Sequence, residues 1–201
     1  MVRILIIMAH PALEKSRVHR RLNRIVGKLE GITFRDLYET YPTFDIQVET
    51  EKALLAQHDL VIFQHPFYWY SGPALLKQWQ DLVLEHGWAY GTNGTALKGK
   101  YLMNAISTGG PYNAYQLDGH HQHTLQQFLL PFEQTAKLCN MIYLPPFAVT
   151  GAHRMTDAEI DVYATQYKQL LEYLQNSPFD LNTVKKLDTL NHLLKTLPQA
   201  K

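Results

Sequence analysis

Three short stretches carry residue types that could do chemistry. The first, AHPALEKS at 9–16, runs into Arg17 and His19, so a hydroxyl (Ser16), two cations (Lys15, Arg17) and an imidazole gather where a helix begins. Free N–H groups, a hydroxyl and positive charge at a helix start suit one phosphate group; taken alone, a solvated basic helix face is the plainer reading. The second, FQHPFYWYSGPALL at 63–76, sets Phe67, Tyr68, Trp69 and Tyr70 in a row between a strand-like run and a helix. By itself it reads as an aromatic cluster sealing a core or an interface. The third, Ser107-Thr108-Gly109-Gly110, lets backbone donors come close to a flat ring, or is merely a turn. Together the three describe a phosphate pocket, an aromatic wall and a glycine edge, which is what a flavin mononucleotide moiety requires.

The elements that must hold these stretches follow from periodicity. Ile4–Met8 is a continuous apolar run, as in a parallel strand buried on both faces. Val18, Leu22, Ile25, Val26 and Leu29 then repeat at helical spacing behind Ser16 as N-cap. Further strands are expected at Thr33–Leu37, Leu60–Gln64, Tyr101–Ser107 and Met141–Leu144. Helices are expected at Val48–Gln57, after Pro73, over Thr124–Leu138 with a kink at Pro131, and behind the capping box Thr156-x-x-Glu159. Five strands alternating with helices give a three-layer α/β sandwich with a parallel sheet, for which order 2-1-3-4-5 is the natural choice. Ligand is then expected beyond the carboxyl ends of strands 1, 3 and 4, where the three stretches lie. Residues 1–176 form that domain, and 177–201 a C-terminal extension. In it a turn precedes an amphipathic helix marked by Leu181, Val184, Leu187, Leu190, Leu194 and Leu197, packed on its own domain or against a second subunit.

Composition narrows the function. A net charge of +1 gives no reason to expect nucleic acid. The single cysteine, Cys139, permits no internal disulfide and no Cys-based zinc site, and fits a reducing compartment. The apolar run near the N-terminus is too short for a signal peptide and is broken by His10-Pro11, so a cytoplasmic protein is expected. No glycine lies between strand 1 and its helix, which argues against a dinucleotide fingerprint even though Asp36 could mimic its ribose-binding acid. His120, His121 and His123 lack an acid or Cys at supporting spacing, and a loop with one functional histidine fits them better than a metal site.

The chain resembles the flavodoxin-like NAD(P)H:quinone oxidoreductases of the DT-diaphorase type, and among them the small bacterial flavoproteins that serve as ancillary subunits of glutathione-regulated potassium-efflux systems. ILIIMAHP (4–11), DLYETYPTFDI (36–46), LVIFQHPFYWYSGPALLKQW (60–79), HGWAYGTNGTALKGK (86–100), STGGPYNAY (107–115) and LPPF (144–147) carry the resemblance. It implies FMN, or FAD in its place, as cofactor and NADH or NADPH as co-substrate. It also implies two-electron ping-pong transfer of hydride through flavin N5 to a quinone or similar acceptor. On the same basis His10 and Ser16 line the phosphate and ribityl region. Pro66, Phe67, Tyr68, Trp69 and Tyr70 lie under the isoalloxazine, and Ser107, Thr108, Gly109 and Gly110 approach its pyrimidine side. Tyr115 and His121, or His120 on a one-residue shift, are the pair that stabilises charge on the flavin. A homodimer is implied, with Trp88 and Tyr90 in an interface or lid. The alternative it raises is a regulatory subunit bound to the cytoplasmic domain of a potassium/proton antiporter, peripheral at the inner face of the membrane.

Overall fold

The computed structural model describes residues 1–27, 29–176 and 181–195. In chain order the elements are β1 (Ile4–Met8), α1 (Arg17–Val26), β2 (Ile32–Asp36), α2 (Leu37–Thr40), α3 (Val48–Gln57), β3 (Leu60–Pro66), α4 (Ala74–Val83) and β4 (Tyr101–Thr108). They continue with α5 (Leu125–Phe128), α6 (Leu130–Leu138), β5 (Ile142–Tyr143), β6 (Phe147–Thr150), α7 (Asp157–Asn176) and α8 (Leu181–Val184). Short 3₁₀ turns occupy Leu13–Lys15, Tyr112–Tyr115 and Leu193–Lys195.

The strands pair in the order β2-β1-β3-β4-β5, all parallel, with β6 also on β4. Every residue of β1 and β3 is buried, so the alternation of side chains fills two cores rather than one. Leu5 and Ile7 pack with Leu55, Leu75, Trp79 and Phe132 under α3, α4 and α6; Ile4 and Ile6 pack with Leu22, Tyr167, Leu171 and Leu174 under α1 and α7. The result is the expected three-layer sandwich. Among the described residues no helix is long and apolar enough to cross a membrane.

Local differences from the sequence reading have identifiable causes. The fifth strand position is filled twice: β5 pairs with Tyr101–Leu102 and β6 with Ala105–Thr108 on the same side of β4. Between them Pro145 and Pro146, which lack N–H donors, interrupt the ladder. The helix expected over Thr124–Leu138 is two helices, broken at Leu129; Pro131 sits in the first turn of α6, where its missing donor costs nothing. The second strand is displaced by one residue, because Asp36 Oδ1 accepts the N–H groups of Tyr38 and Glu39 at 3.0 and 3.2 Å and so starts α2. That carboxylate is an N-cap. The C-terminal helix is one turn, Leu181–Val184, and the apolar residues beyond it reach the core through turns: Val184, Leu190 and Leu193 are buried beside α7. Leu197 and the turn at 177–180 lie outside the described residues. In the 86–100 loop Ala89 and Leu97 are buried, and Lys52 Nζ lies 5.5 Å from the Trp88 ring centroid.

Candidate functional site

A cleft of about 480 Å³ opens at the carboxyl ends of β1, β3 and β4. Its first wall is the start of α1. Ser16 Oγ accepts the His19 N–H at 3.1 Å and fixes the helix entry; the N–H groups of Arg17 and Val18 then face outward without intrahelical acceptors, as at any helix start. Lys15 and Arg17 border the cleft, and Arg17 also pairs with Asp157 at the head of α7. His10, the last residue before the loop turns, accepts the Ala12 N–H on Nδ1 at 3.2 Å, and burial lowers its pKa, so the ring is held neutral.

The second wall grows out of β3. Phe67 N–H donates to Ser107 O at 2.8 Å, carrying the β3–β4 ladder one step past Pro66. A tight turn follows, closed by Ser71 N–H donating to Tyr68 O at 3.0 Å, with Trp69 and Tyr70 at φ 50° and 62°. Two successive left-handed residues are the backbone of a type I′ turn, normally given to Gly or Asn. The four rings therefore part company. Phe67 turns inward against Tyr115 and Phe128, and Tyr70 stacks on Phe128 with centroids 5.0 Å apart. Tyr68 meets His10 edge-on at 5.9 Å, while Trp69 stands 93% exposed at the lip.

The third wall is the end of β4. Thr108 Oγ1 donates to Gly110 O at 2.7 Å, and Ala152 N–H donates to Thr108 O at 2.9 Å, which ties the glycine turn to the segment after β6. A Cβ at Gly109 would lie 2.5 Å from the His153 ring, and one at Gly110 would lie 3.3 Å from the Tyr115 hydroxyl. His153, exposed and lining the cleft, escaped the sequence reading; a lone histidine after Gly151-Ala152 matches no motif.

Behind the walls lies a buried polar layer. His19 is fully buried, not at the cleft surface: Gln64 Nε2 and Ser107 Oγ flank its two ring nitrogens at 3.5 and 2.9 Å. Desolvation keeps its pKa well below that of an ordinary histidine. His65, also fully buried, donates from Nδ1 to Pro66 O at 3.0 Å and accepts on Nε2 from Asn104 Nδ2 at 2.9 Å. Tyr143 in turn donates to Asn104 Oδ1 at 2.6 Å, and desolvation brings the His65 pKa down to about 4.

Tyr115 and His121 stack face to face with centroids 4.5 Å apart and an interplanar angle of 25°. His120 meets only the edge of His121, at 5.0 Å, so His121 is the partner of Tyr115. The pair stands beside the cleft rather than lining it, with the Phe67 ring 5.9 Å from Tyr115 and the Tyr70 hydroxyl 3.5 Å from His121 Nδ1. Burial raises the Tyr115 pKa, leaving its hydroxyl a protonated donor. Among the described residues no group of three or more His, Cys, Asp or Glu could hold a metal ion. Cys139 is buried, and desolvation pushes its thiol up to about 11, which makes it inert.

Helix-start donors with adjacent cations, a backbone edge stripped of side chains, and an aromatic lip converge on this one cleft. That donor set fits a phosphate joined to a flat heterocycle.

Known proteins resemble this chain in sequence and fold. The pattern of a family described by its flavodoxin-like fold matches residues 2–171. The glutathione-regulated potassium-efflux system ancillary protein KefF of Klebsiella aerogenes is 45% identical over 168 residues, covering 84% of this chain and 94% of that protein. Among solved structures, general stress protein 14 of Treponema denticola, determined in complex with FMN, superposes with a TM-score of 0.82 at 40% identity, covering 86% of this chain and 99% of that one. An NADPH-quinone reductase of P. pentosaceus superposes with a TM-score of 0.76 at 35% identity, covering 84% and 96%.

Proposed function

This chain belongs to the flavodoxin-like family, and from that premise we propose that it is a flavin-dependent NAD(P)H:quinone oxidoreductase. The observation that carries the reading is the convergence of Ser16 at the α1 start, the Phe67–Tyr70 turn and the Ser107–Gly110 edge on one cleft. FMN is the favoured cofactor: a single helix start serves one phosphate, and a relative with 40% identity binds FMN. When bound, the flavin supplies hydride acceptance and onward delivery of two electrons. The net reaction is NAD(P)H plus a proton plus quinone giving NAD(P)⁺ plus hydroquinone.

The protein's own part is to bind, orient and stabilise. Ser16, Lys15 and the outward N–H groups of α1 hold the phosphate, with Arg17 adding charge and His10 closing the ribityl side as a neutral ring. The glycine edge admits a ring at backbone distance. Tyr68 and Trp69 cover the cleft mouth and exclude water around the transfer. Tyr115 Oη, beside Gly110, and the His121 ring stacked on Tyr115 are donors for negative charge that develops on that side. The His121 ring is placed to return a proton to a quinone oxygen.

Steady-state kinetics test this directly: with NADPH or NADH varied at several quinone concentrations, double-reciprocal lines are parallel. Intersecting lines contradict alternating occupancy of one cleft. A second reading rests on the 45% identity to KefF: the chain also serves, as a homodimer in the cytoplasm, as ancillary subunit to the cytoplasmic domain of a potassium/proton antiporter. Co-purification with that domain supports it, and monomeric protein that fails to bind it does not.

A further inference from the structure

The most C-terminal described segment, residues 181–195, lies beyond the residues 2–171 that match the family. It is not loosely attached. Within β6, alternate residues direct their N–H and C=O toward β4 or away from it. Those of Ala148 point away, to the outer edge of the sheet, and both are taken by one side chain: Ala148 N–H donates to Asn191 Oδ1 at 2.9 Å, and Asn191 Nδ2 donates to Ala148 O at 3.1 Å. The neighbouring Leu190 N–H donates to Pro146 O at 2.9 Å. A carboxamide and one backbone amide thus satisfy an edge that would otherwise present unpaired groups. Val184, Leu190 and Leu193 anchor the segment by burial beside α7.

The same segment grips the loop that carries Tyr115 and His121 at both ends. Tyr112 donates from its hydroxyl to Asp188 Oδ2 at 3.3 Å, at the start of the 3₁₀ turn that ends in Tyr115. Gln126 Nε2, in α5, donates to Leu187 O and Asp188 O at 2.9 and 3.3 Å. Phe128 of α5 in turn touches the Tyr115 and His121 rings at 6.3 Å each. The crevice between segment and loop is only about 20 Å³, roughly room for a single water.

We infer that residues 181–195 are a strap that pairs with the sheet edge through Asn191 and positions the Tyr115–His121 loop through Asp188 and Gln126. Asn191 is a positioning residue in this account; it touches neither the cleft nor the stacked pair. Only the link to catalysis rests on the function proposed above.

Full-length protein carrying Asn191→Leu tests the inference. Hydrogen exchange at the Ala148 amide accelerates by about tenfold or more while Ile6 in β1 keeps its protection. The His121 imidazole resonance, identified by its loss in His121→Gln, shifts. KM for a quinone acceptor rises about threefold or more while flavin is retained. Unchanged exchange at Ala148 overturns the edge pairing. Accelerated exchange with an unmoved His121 resonance overturns the positioning of the loop. Should Asn191→Leu fail to fold, Gln126→Leu removes only the two bonds to the strap's carbonyls, and the same His121 shift or its absence decides. Exchange and resonance are read without flavin, so a chain that binds none still tests the strap.

Discussion

His19 Nε2 and Ser107 Oγ meet at 2.9 Å, joining the first turn of α1 to the end of β4 beneath the cleft. Two of the three walls are thereby joined by one partly buried hydrogen bond, and the third is tied by His65, whose Nδ1 holds the Pro66 carbonyl.

Both rings make stability depend on pH. Each is neutral in the folded protein, with its pKa lowered by desolvation, and each takes up a proton when the chain unfolds below the ordinary value of 6.5. Their contribution is complete above about pH 6.5 and is lost as pH falls toward the folded values, near pH 4 for His65. For His65 the loss is on the order of 3 kcal/mol. Thermal melts from pH 7 to 4 show a progressive fall in Tm, and NMR shows that the His19 and His65 rings do not titrate between pH 5.5 and 7.5 (roughly the window of an ordinary histidine). A flat Tm profile contradicts this.

Glu51 is fully buried and serves three partners. Oε1 accepts from Arg35 Nε at 2.9 Å and Tyr41 Oη at 2.7 Å, and Oε2 accepts from Trp79 Nε1 at 2.9 Å. Glu51→Ala leaves the Arg35 guanidinium and two neutral donors without their acceptor and costs about 3–5 kcal/mol. Urea melts measure it; a loss below about 1 kcal/mol means the site relaxes to admit water.

Trp69 combines a left-handed backbone with a ring 93% exposed. Trp69→Gly removes strain of about 1 kcal/mol and forfeits little packing, so urea stability is unchanged or higher. The same change uncovers the cleft and weakens flavin retention about tenfold. A destabilised Trp69→Gly contradicts the account of the turn.

Tyr115→Phe and His121→Gln, alone and together, lower quinone reduction about a hundredfold or more while the flavin stays bound. Full activity in the double variant removes the pair from the reaction.

What the sequence disclosed and what it hid follow from the range of the interactions involved. The apolar runs of β1 and β3 and the Ser16 cap are local signals, and they placed the cleft at the ends of strands 1, 3 and 4. The division of Phe67, Tyr68, Trp69 and Tyr70 into one core ring and three exposed ones depends on the turn's left-handed residues, which no residue type announced. β6 lies beyond the expected fifth strand, Met141–Leu144, because Pro145 and Pro146 split that strand position into two short pairings. The repeat from Leu181 to Leu197 led to the expectation of one amphipathic helix; in the described part Val184 and Leu190 are buried, but the helix stops at Val184, and Leu190 and Asn191 give their hydrogen bonds to the sheet edge. His153 depends on a contact with Gly109 that is distant in sequence.

The central claim is that the cleft holds a flavin, and the visible spectrum of the purified protein, followed by chromatography of whatever acid or heat releases, tests it most directly. The account predicts a yellow protein with the two bands of an oxidised flavin, about one flavin per chain, released as FMN. A colourless preparation that gains no visible absorbance on incubation with FMN or FAD contradicts it.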